Sequence, residues 1–210
     1  IGIRMPLMSI PLDGDEGTNY TYFADLLWSE LFTKYLDPQQ HTLYIAVAYV
    51  FRVIFGESEF IFRLPALLTS VLSVFLIYRV SLKITDSPFI SFFSATLINF
   101  SLITYHYSVR GRGYAITLFL SLLLIYAVIK IFESKKTTLW HFIFVFGGLF
   151  LVVALPSNAF FLGAVSMFFL TLKYKNETLK NLFLSKYFYR ETSFIILTAI
   201  LAFSYFFIIW

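Results

Sequence analysis

From Phe62 to Trp210 the sequence is a succession of apolar runs, several of them approaching the ~20 residues that an α-helix needs to cross a bilayer. This feature restricts the fold more than any other. In hydrocarbon every backbone N–H and C=O must be paired inside the structure, which leaves helices or closed barrels. The runs are continuous rather than alternating, so a barrel is excluded. Composition agrees: 59% of residues are hydrophobic and 13% charged, whereas a soluble domain carries about 25% charged residues. The expected fold is all-α, a polytopic transmembrane helical bundle.

The runs divide 62–210 into about six transmembrane segments. Their approximate limits are Phe62–Val80, Pro88–Tyr105, Gly113–Phe132, Trp140–Leu155, Ala159–Leu172 and Thr192–Trp210. The connection Pro156-Ser157-Asn158 is tight and makes its two neighbours a helical hairpin. Residues 1–12 are apolar but short, with Pro6 and Pro11, and read as the end of a preceding helix. Residues 13–61 read as an outer loop. Within it Asn19–Leu36 suits an amphipathic helix on the membrane surface, and His41–Phe55, too short to span, suits a second interfacial helix. The sequence begins at Ile1 rather than Met and stops inside an apolar run, so it is expected to be a piece of a longer chain. One helix is expected before it and more after it.

There is no cysteine, which excludes disulfides, thiolate catalysis and cysteine–zinc sites. The net charge of +4 does not indicate nucleic acid, because the basic residues sit in short loops between apolar runs, where they report topology. One side, with Lys83, Lys130 and Lys173 among its cations, has a balance of +6, and the other −2. The positive-inside rule puts the +6 side in the cytoplasm. The other side then faces the periplasm, the cell exterior or an organelle lumen.

The unusual polar residues gather on that outer side. Asp13, Asp15 and Glu16 are carboxylates packed closely beside a membrane. A hydrated loop is the commoner explanation of such a cluster, but Tyr20, Tyr22 and Phe23 hold it at the interface, where a carboxylate can serve as a general base. Tyr105-His106-Tyr107-Ser108-Val109-Arg110-Gly111-Arg112-Gly113-Tyr114 joins two spans. Two arginines there could simply snorkel within an aromatic belt. They could also grip phosphate through several donors, with glycines allowing close approach and a helix N-terminus favouring an anion. His41 is read as a capping residue or a sugar or phosphate contact. Arg63 is read as structural, snorkelling or pairing with a carboxylate such as Glu59, with phosphate contact as the other option. Trp140 and His141 are read as belt and packing.

The order of these pieces resembles the membrane glycosyltransferases of the GT-C fold, most closely the bacterial members of the protein O-mannosyltransferase and aminoarabinose-transferase group, the family 39 type. The matching residues are Asp15-Glu16, Gln40-His41-Thr42-Leu43-Tyr44, Gly56-Glu57-Ser58-Glu59 with Arg63-Leu64-Pro65, and Arg110-Gly111-Arg112-Gly113-Tyr114-Ala115. Pro156-Ser157-Asn158 also resembles a short outer turn of such proteins. Thr42 stands where the pattern has proline, and Gly111 where it has alanine.

The resemblance implies an enzyme of the plasma (inner) membrane that moves a sugar from a polyprenyl-phosphate-linked donor to a glycan, lipid or protein acceptor on the outer face, with inversion. Asp15 would orient or deprotonate the acceptor with Glu16 beside it. Arg110, Arg112 and His106 would hold the donor phosphate, supported by His41, Asp13, Tyr114 and Arg63. Three carboxylates could hold a divalent metal, but members of this group need not use one, and no cofactor is predicted. The rivals are a transporter or flippase of lipid-linked or small anionic substrates, which should carry ionisable residues near the bilayer midplane, and a non-catalytic scaffold.

Overall fold

The computed structural model describes residues 4–12, 14–22, 26, 28–37, 39–133, 137–174 and 186–209. Among them all regular structure is helical. A 3-10 helix, Met5–Ser9, precedes ten α-helices: α1 Gly14–Thr21, α2 Trp28–Thr33, α3 Thr42–Phe55, α4 Glu59–Thr85, α5 Pro88–Phe100, α6 Leu102–Tyr107, α7 Tyr114–Glu133, α8 Thr138–Ala154, α9 Asn158–Tyr174 and α10 Lys186–Ile209. Three stretches are long and apolar enough to cross a membrane: α4, α7 and Tyr189–Ile208 of α10. Helices α3, α5, α8 and α9 are apolar but have 10–17 residues. Phe89, Phe92, Leu102, Phe160, Phe203 and Phe207 lie exposed on the outside of the bundle. Water would penalise such an exterior and hydrocarbon would not.

Short polar signals set the helix ends. Ser58 caps α4, its Oγ accepting from the Ile61 N–H at 3.2 Å. Asp86 closes α4 in the left-handed conformation, φ 50°. Ser87 then caps α5, with Pro88 at the first helical position. Pro65 falls in the second turn of α4 rather than the first, because the helix starts at Glu59.

Three expectations are corrected. The run Pro88–Tyr105 is not one helix but breaks at Ser101 into α5 and α6. Arg4 takes the Asn99 carbonyl (2.8 Å) and the Asn99 Oδ1 (3.0 Å). The carbonyl that would accept from the next helical turn is thereby occupied. The amphipathic helix expected over Asn19–Leu36 is replaced by α1 and α2. Glu16 and Asn19 of α1 are buried toward the protein rather than turned to water. Residues 5–9 form a 3-10 turn rather than the end of an α-helix. Pro6 and Pro11 donate no N–H, and the carbonyls of Met8 and Ile10 are left for Arg63 (2.8 and 2.6 Å).

Helix α4 packs on α3, α5 and α7, α7 on α8, and α8 on α10. Helix α8 approaches its neighbours closely through glycine: a Cβ on Gly148 would lie 2.6 Å from Thr198 Cγ2 and 3.0 Å from Leu162 Cδ1. The long helices alternate in direction. One end of the bundle therefore collects the starts of α3, α4, α7 and α9 with the end of α8. The opposite end carries a separate charge group in which Glu133 accepts from Lys83 (3.1 Å) and Lys130 (2.9 Å).

Candidate active site

Glu16 is the hub of the first end. It is 1% exposed, and α1 places it against the start of α4 and the loop before α7. Its Oε1 accepts from Arg63 Nε (2.6 Å) and from the Gly111 N–H. Its Oε2 accepts from Arg63 Nη2 (2.8 Å) and Arg110 Nη1 (3.3 Å). The Arg63 contact is bidentate, the strongest pairing open to a guanidinium and a carboxylate. Arg63 itself is fully buried, and its remaining terminal nitrogen donates to Met8 and Ile10. Tyr44 donates to the Phe62 carbonyl at 2.6 Å and sits beside this pair. Burial, and then the Glu16 charge, push its hydroxyl well above the ordinary tyrosine range.

Gly111 is required here by space. A Cβ would lie 2.2 Å from Phe62 Cε1 and 3.1 Å from Glu16 Oε1.

Asp15, the preceding residue, faces another way. Its carboxylate pairs with Arg112 at 2.5 Å, with side chains 30% and 21% exposed. Arg112 also donates to the Tyr114 hydroxyl (3.3 Å) and lies over the Tyr114 ring, 5.0 Å from its centroid. Its Nε is buried and has no hydrogen-bond partner. Asn19 donates to the Asp15 carbonyl at 2.9 Å and leaves its own Oδ1 buried and unpartnered. His41, at the N-cap position of α3, is 1% exposed and stands edge-to-face to Tyr114 at 5.1 Å. Both of its ring nitrogens are buried, and neither makes a side-chain hydrogen bond among the described residues. Burial first, then the Arg112 charge, lower its pKa to about 4, although Asp15 and the Ala154 carbonyl pull it the other way. The ring is therefore neutral at physiological pH. It can exchange hydrogen bonds with hydroxyls but adds no charge.

The structure brings Asp15, Glu16, His41, Arg63, Arg110, Arg112 and Tyr114 to one end of the bundle. Arg63 pairs with Glu16 rather than with Glu59. Glu16, expected beside Asp15 in the catalytic pair, is buried under four donors and ties α1 to the start of α4 and the loop before α7. His106 does not join the arginines. It is exposed on α6, with its ring 5.1 Å from Tyr107. Asp13 lies outside the described residues. Among the described residues no group of three metal-ligating side chains forms. Among the described residues the centre joins two carboxylates, Asp15 and Glu16, to three guanidiniums, Arg63, Arg110 and Arg112.

Sequence reasoning missed Asn19 and Tyr205, and it named Tyr44 only within the motif around His41, without its hydrogen bond to Phe62. Tyr205 of α10 brings its buried hydroxyl beside Thr42. An apolar surrounding announced a buried position for Tyr44 and Tyr205, but α1 around Asn19 is polar, and nothing local announced a polar partner for any of the three. It also missed that His141, read as packing, meets Glu191 in a buried pair, with Thr137 O on the other ring nitrogen at 2.7 Å.

Beside the centre, a groove of about 310 Å³ runs between α4, α6 and α7, lined by Ile103, Tyr107, Tyr114, Leu118 and Ser70. No protein-family model, curated protein or solved structure matches this chain.

Proposed function

We propose that the chain belongs to a multi-pass membrane glycosyltransferase that transfers a sugar from a polyprenyl-phosphate-linked donor to an acceptor. The observation that carries the reading is the Asp15–Arg112 pair: a partly exposed carboxylate held 2.5 Å from a phosphate-binding type of cation. It stands beside an apolar groove with room for part of a lipid chain. In this reading the site faces the periplasm or cell exterior, the polyprenyl tail lies in the groove, and the phosphate meets Arg112 and Arg110.

The chemistry then runs as a displacement at the anomeric carbon. The donor phosphate competes with Asp15 for Arg112 and so frees the carboxylate. Asp15 accepts the proton of the acceptor hydroxyl or amine, whose oxygen or nitrogen forms the new bond to the carbon. The bond to the lipid phosphate breaks on the opposite face, and the leaving phosphate keeps the electron pair. Arg112 and Arg110 stabilise the charge that develops there. Attack from the face opposite the leaving group inverts the carbon. His41, neutral, is placed to exchange a hydrogen bond with a sugar or acceptor hydroxyl.

A transporter would carry its ionisable groups near the midplane. His141 and Glu191 are buried, but they stand fourth in α8 and sixth in α10. That is within roughly 8 Å of the helix starts, so the pair does not favour transport. The test is sugar release from a polyprenyl-phosphate donor in membranes containing the full-length protein. Asp15→Asn should abolish transfer while leaving donor binding, and Arg112→Ala should weaken donor binding. Full activity in Asp15→Asn would remove the proposed base.

A further inference from the structure

Arg4 is a buried cation that the reaction above does not use. It is 4% exposed. Its Nη1 donates to Ser70 Oγ at 2.6 Å, and its Nη2 to Asn99 O and Oδ1 at 2.8 and 3.0 Å. Its guanidinium lies 6.0 Å from the Tyr105 ring centroid. All of these partners are neutral, and no described carboxylate pairs with Arg4. The other buried arginine, Arg63, has Glu16. A guanidinium stays protonated at any physiological pH, and an uncompensated charge in apolar surroundings is costly.

Arg4 also lines a groove of about 530 Å³ between α4 and α5. This volume falls within the ~300–1,000 Å³ typical of ligand sites. Its walls are Val71, Val74, Phe75, Phe92, Ala95 and Thr96, with Asn99 at the arginine. Phe75 and Phe92 are exposed, so the groove opens onto the apolar exterior of the bundle. It is separate from the groove beside Tyr114. Ser70, which accepts from Arg4, stands between the two.

An apolar channel open to hydrocarbon, with a cation at its head that no described carboxylate neutralises, is complementary to an amphiphile with an acyl chain and an anionic head. We infer that the α4–α5 groove binds an anionic phospholipid of the surrounding bilayer, its phosphate meeting Arg4 and one chain lying along Val71, Val74 and Phe92. The phosphate supplies the counter-charge that no described residue supplies. The same contacts fasten the Met5–Ser9 segment and the α5–α6 break to α4. This inference does not depend on the glycosyltransferase reading, and its test contains no transfer step.

The test is native mass spectrometry of the purified full-length protein, released from detergent in equal amounts of phosphatidylglycerol and phosphatidylcholine with identical chains. The wild type should retain phosphatidylglycerol over phosphatidylcholine by about fivefold, the preference that one arginine gives toward anionic lipid. Arg4→Lys should keep most of that preference and Arg4→Gln should abolish it. Thr96→Trp fills the groove without touching Arg4, so it should reduce phosphatidylglycerol retention even if Arg4→Gln fails to fold. Equal retention of the two lipids by the wild type, or an undiminished preference in Thr96→Trp, would overturn the inference. So would displacement of phosphatidylglycerol by equimolar polyprenyl phosphate, which would assign the groove to the donor lipid instead.

Discussion

Replacing Glu16 by Gln keeps the shape of the side chain but removes the charge that four donors share. Arg63 donates to it at 2.6 and 2.8 Å, Arg110 at 3.3 Å, and the Gly111 N–H completes the set. In Glu16→Gln one oxygen becomes an NH2 group, so at least one guanidinium N–H faces another donor. Arg63, at 0% side-chain exposure, is left as an uncompensated buried charge. Breaking such a pair by removing one partner costs about 3–5 kcal/mol. For a chain of this length that corresponds to a fall in unfolding temperature on the order of 10 °C. Intrinsic tryptophan fluorescence during heating in lipid nanodiscs measures it. Asp15→Asn should behave in the opposite manner, because its pair with Arg112 is partly exposed and such pairs contribute ~1 kcal/mol or less. Its unfolding temperature should stay within about 3 °C of wild type while transfer falls by about a hundredfold or more. The double variant Glu16→Gln/Arg63→Met removes both charges and should recover part of the loss. Recovery stays incomplete because the Met8 and Ile10 carbonyls lose their donor. A Glu16→Gln protein as stable as wild type, or an Asp15→Asn protein equally destabilised, would refute the division of roles between the two carboxylates.

Three further outcomes follow from the geometry. Gly111→Ala places a Cβ 2.2 Å from Phe62 Cε1 and should cost about 1–3 kcal/mol by the same melting assay; Phe62→Leu in the same chain should relieve part of it. Gly148→Val puts side-chain atoms where Thr198 Cγ2 is already 2.6 Å from a Cβ. It should separate α8 from α10 and lower the unfolding temperature, with loss of protection in hydrogen exchange along α10. For His41, the folded chain releases the proton near pH 4 and the unfolded chain near 6.5. Between those values the unfolded state binds more protons, so stability rises with pH across the window and is lost as pH falls through it. The full effect is about 3 kcal/mol, and His41→Gln should flatten that part of the stability–pH curve.

The helix ends were legible where the signal is local. Ser58, Ser87-Pro88 and Pro156-Ser157 mark caps and turns whose chemistry is complete within a few residues. The break at Ser101 was not legible, because its cause is Arg4, whose guanidinium reaches Asn99 from 95 positions away. For the same reason the convergence of the site could be read but its pairing could not. Sidedness follows from counting charges between apolar runs, and it placed Asp15, His41, Arg63 and Arg112 at one end. Which carboxylate meets which guanidinium depends on contacts such as Glu16 to Gly111, also 95 residues apart. His106 was grouped with the arginines on proximity in sequence. The separate helix α6 carries it to the exposed side.

The separation of Asp15 from Glu16 follows from the helix that holds them. Successive residues on an α-helix point about 100° apart, so two adjacent carboxylates cannot enter the same environment. Once α1 turns Glu16 inward to Arg63, Asp15 must lie toward the rim, where Arg112 meets it. The two pairs therefore differ in kind. Glu16 has its lone pairs filled by groups that cannot leave without exposing a buried charge. Asp15 has a partner that solvent and substrate can reach. An anion arriving at the rim can draw Arg112 away at the modest cost of an exposed ion pair, while Glu16, Arg63 and Gly111 keep the backbone around it fixed. The proposed reaction needs this combination of a rigid mount and a displaceable partner. Exchanging Asp15 and Glu16 in sequence should therefore lower the unfolding temperature and sugar transfer together, even though the composition of the site stays the same.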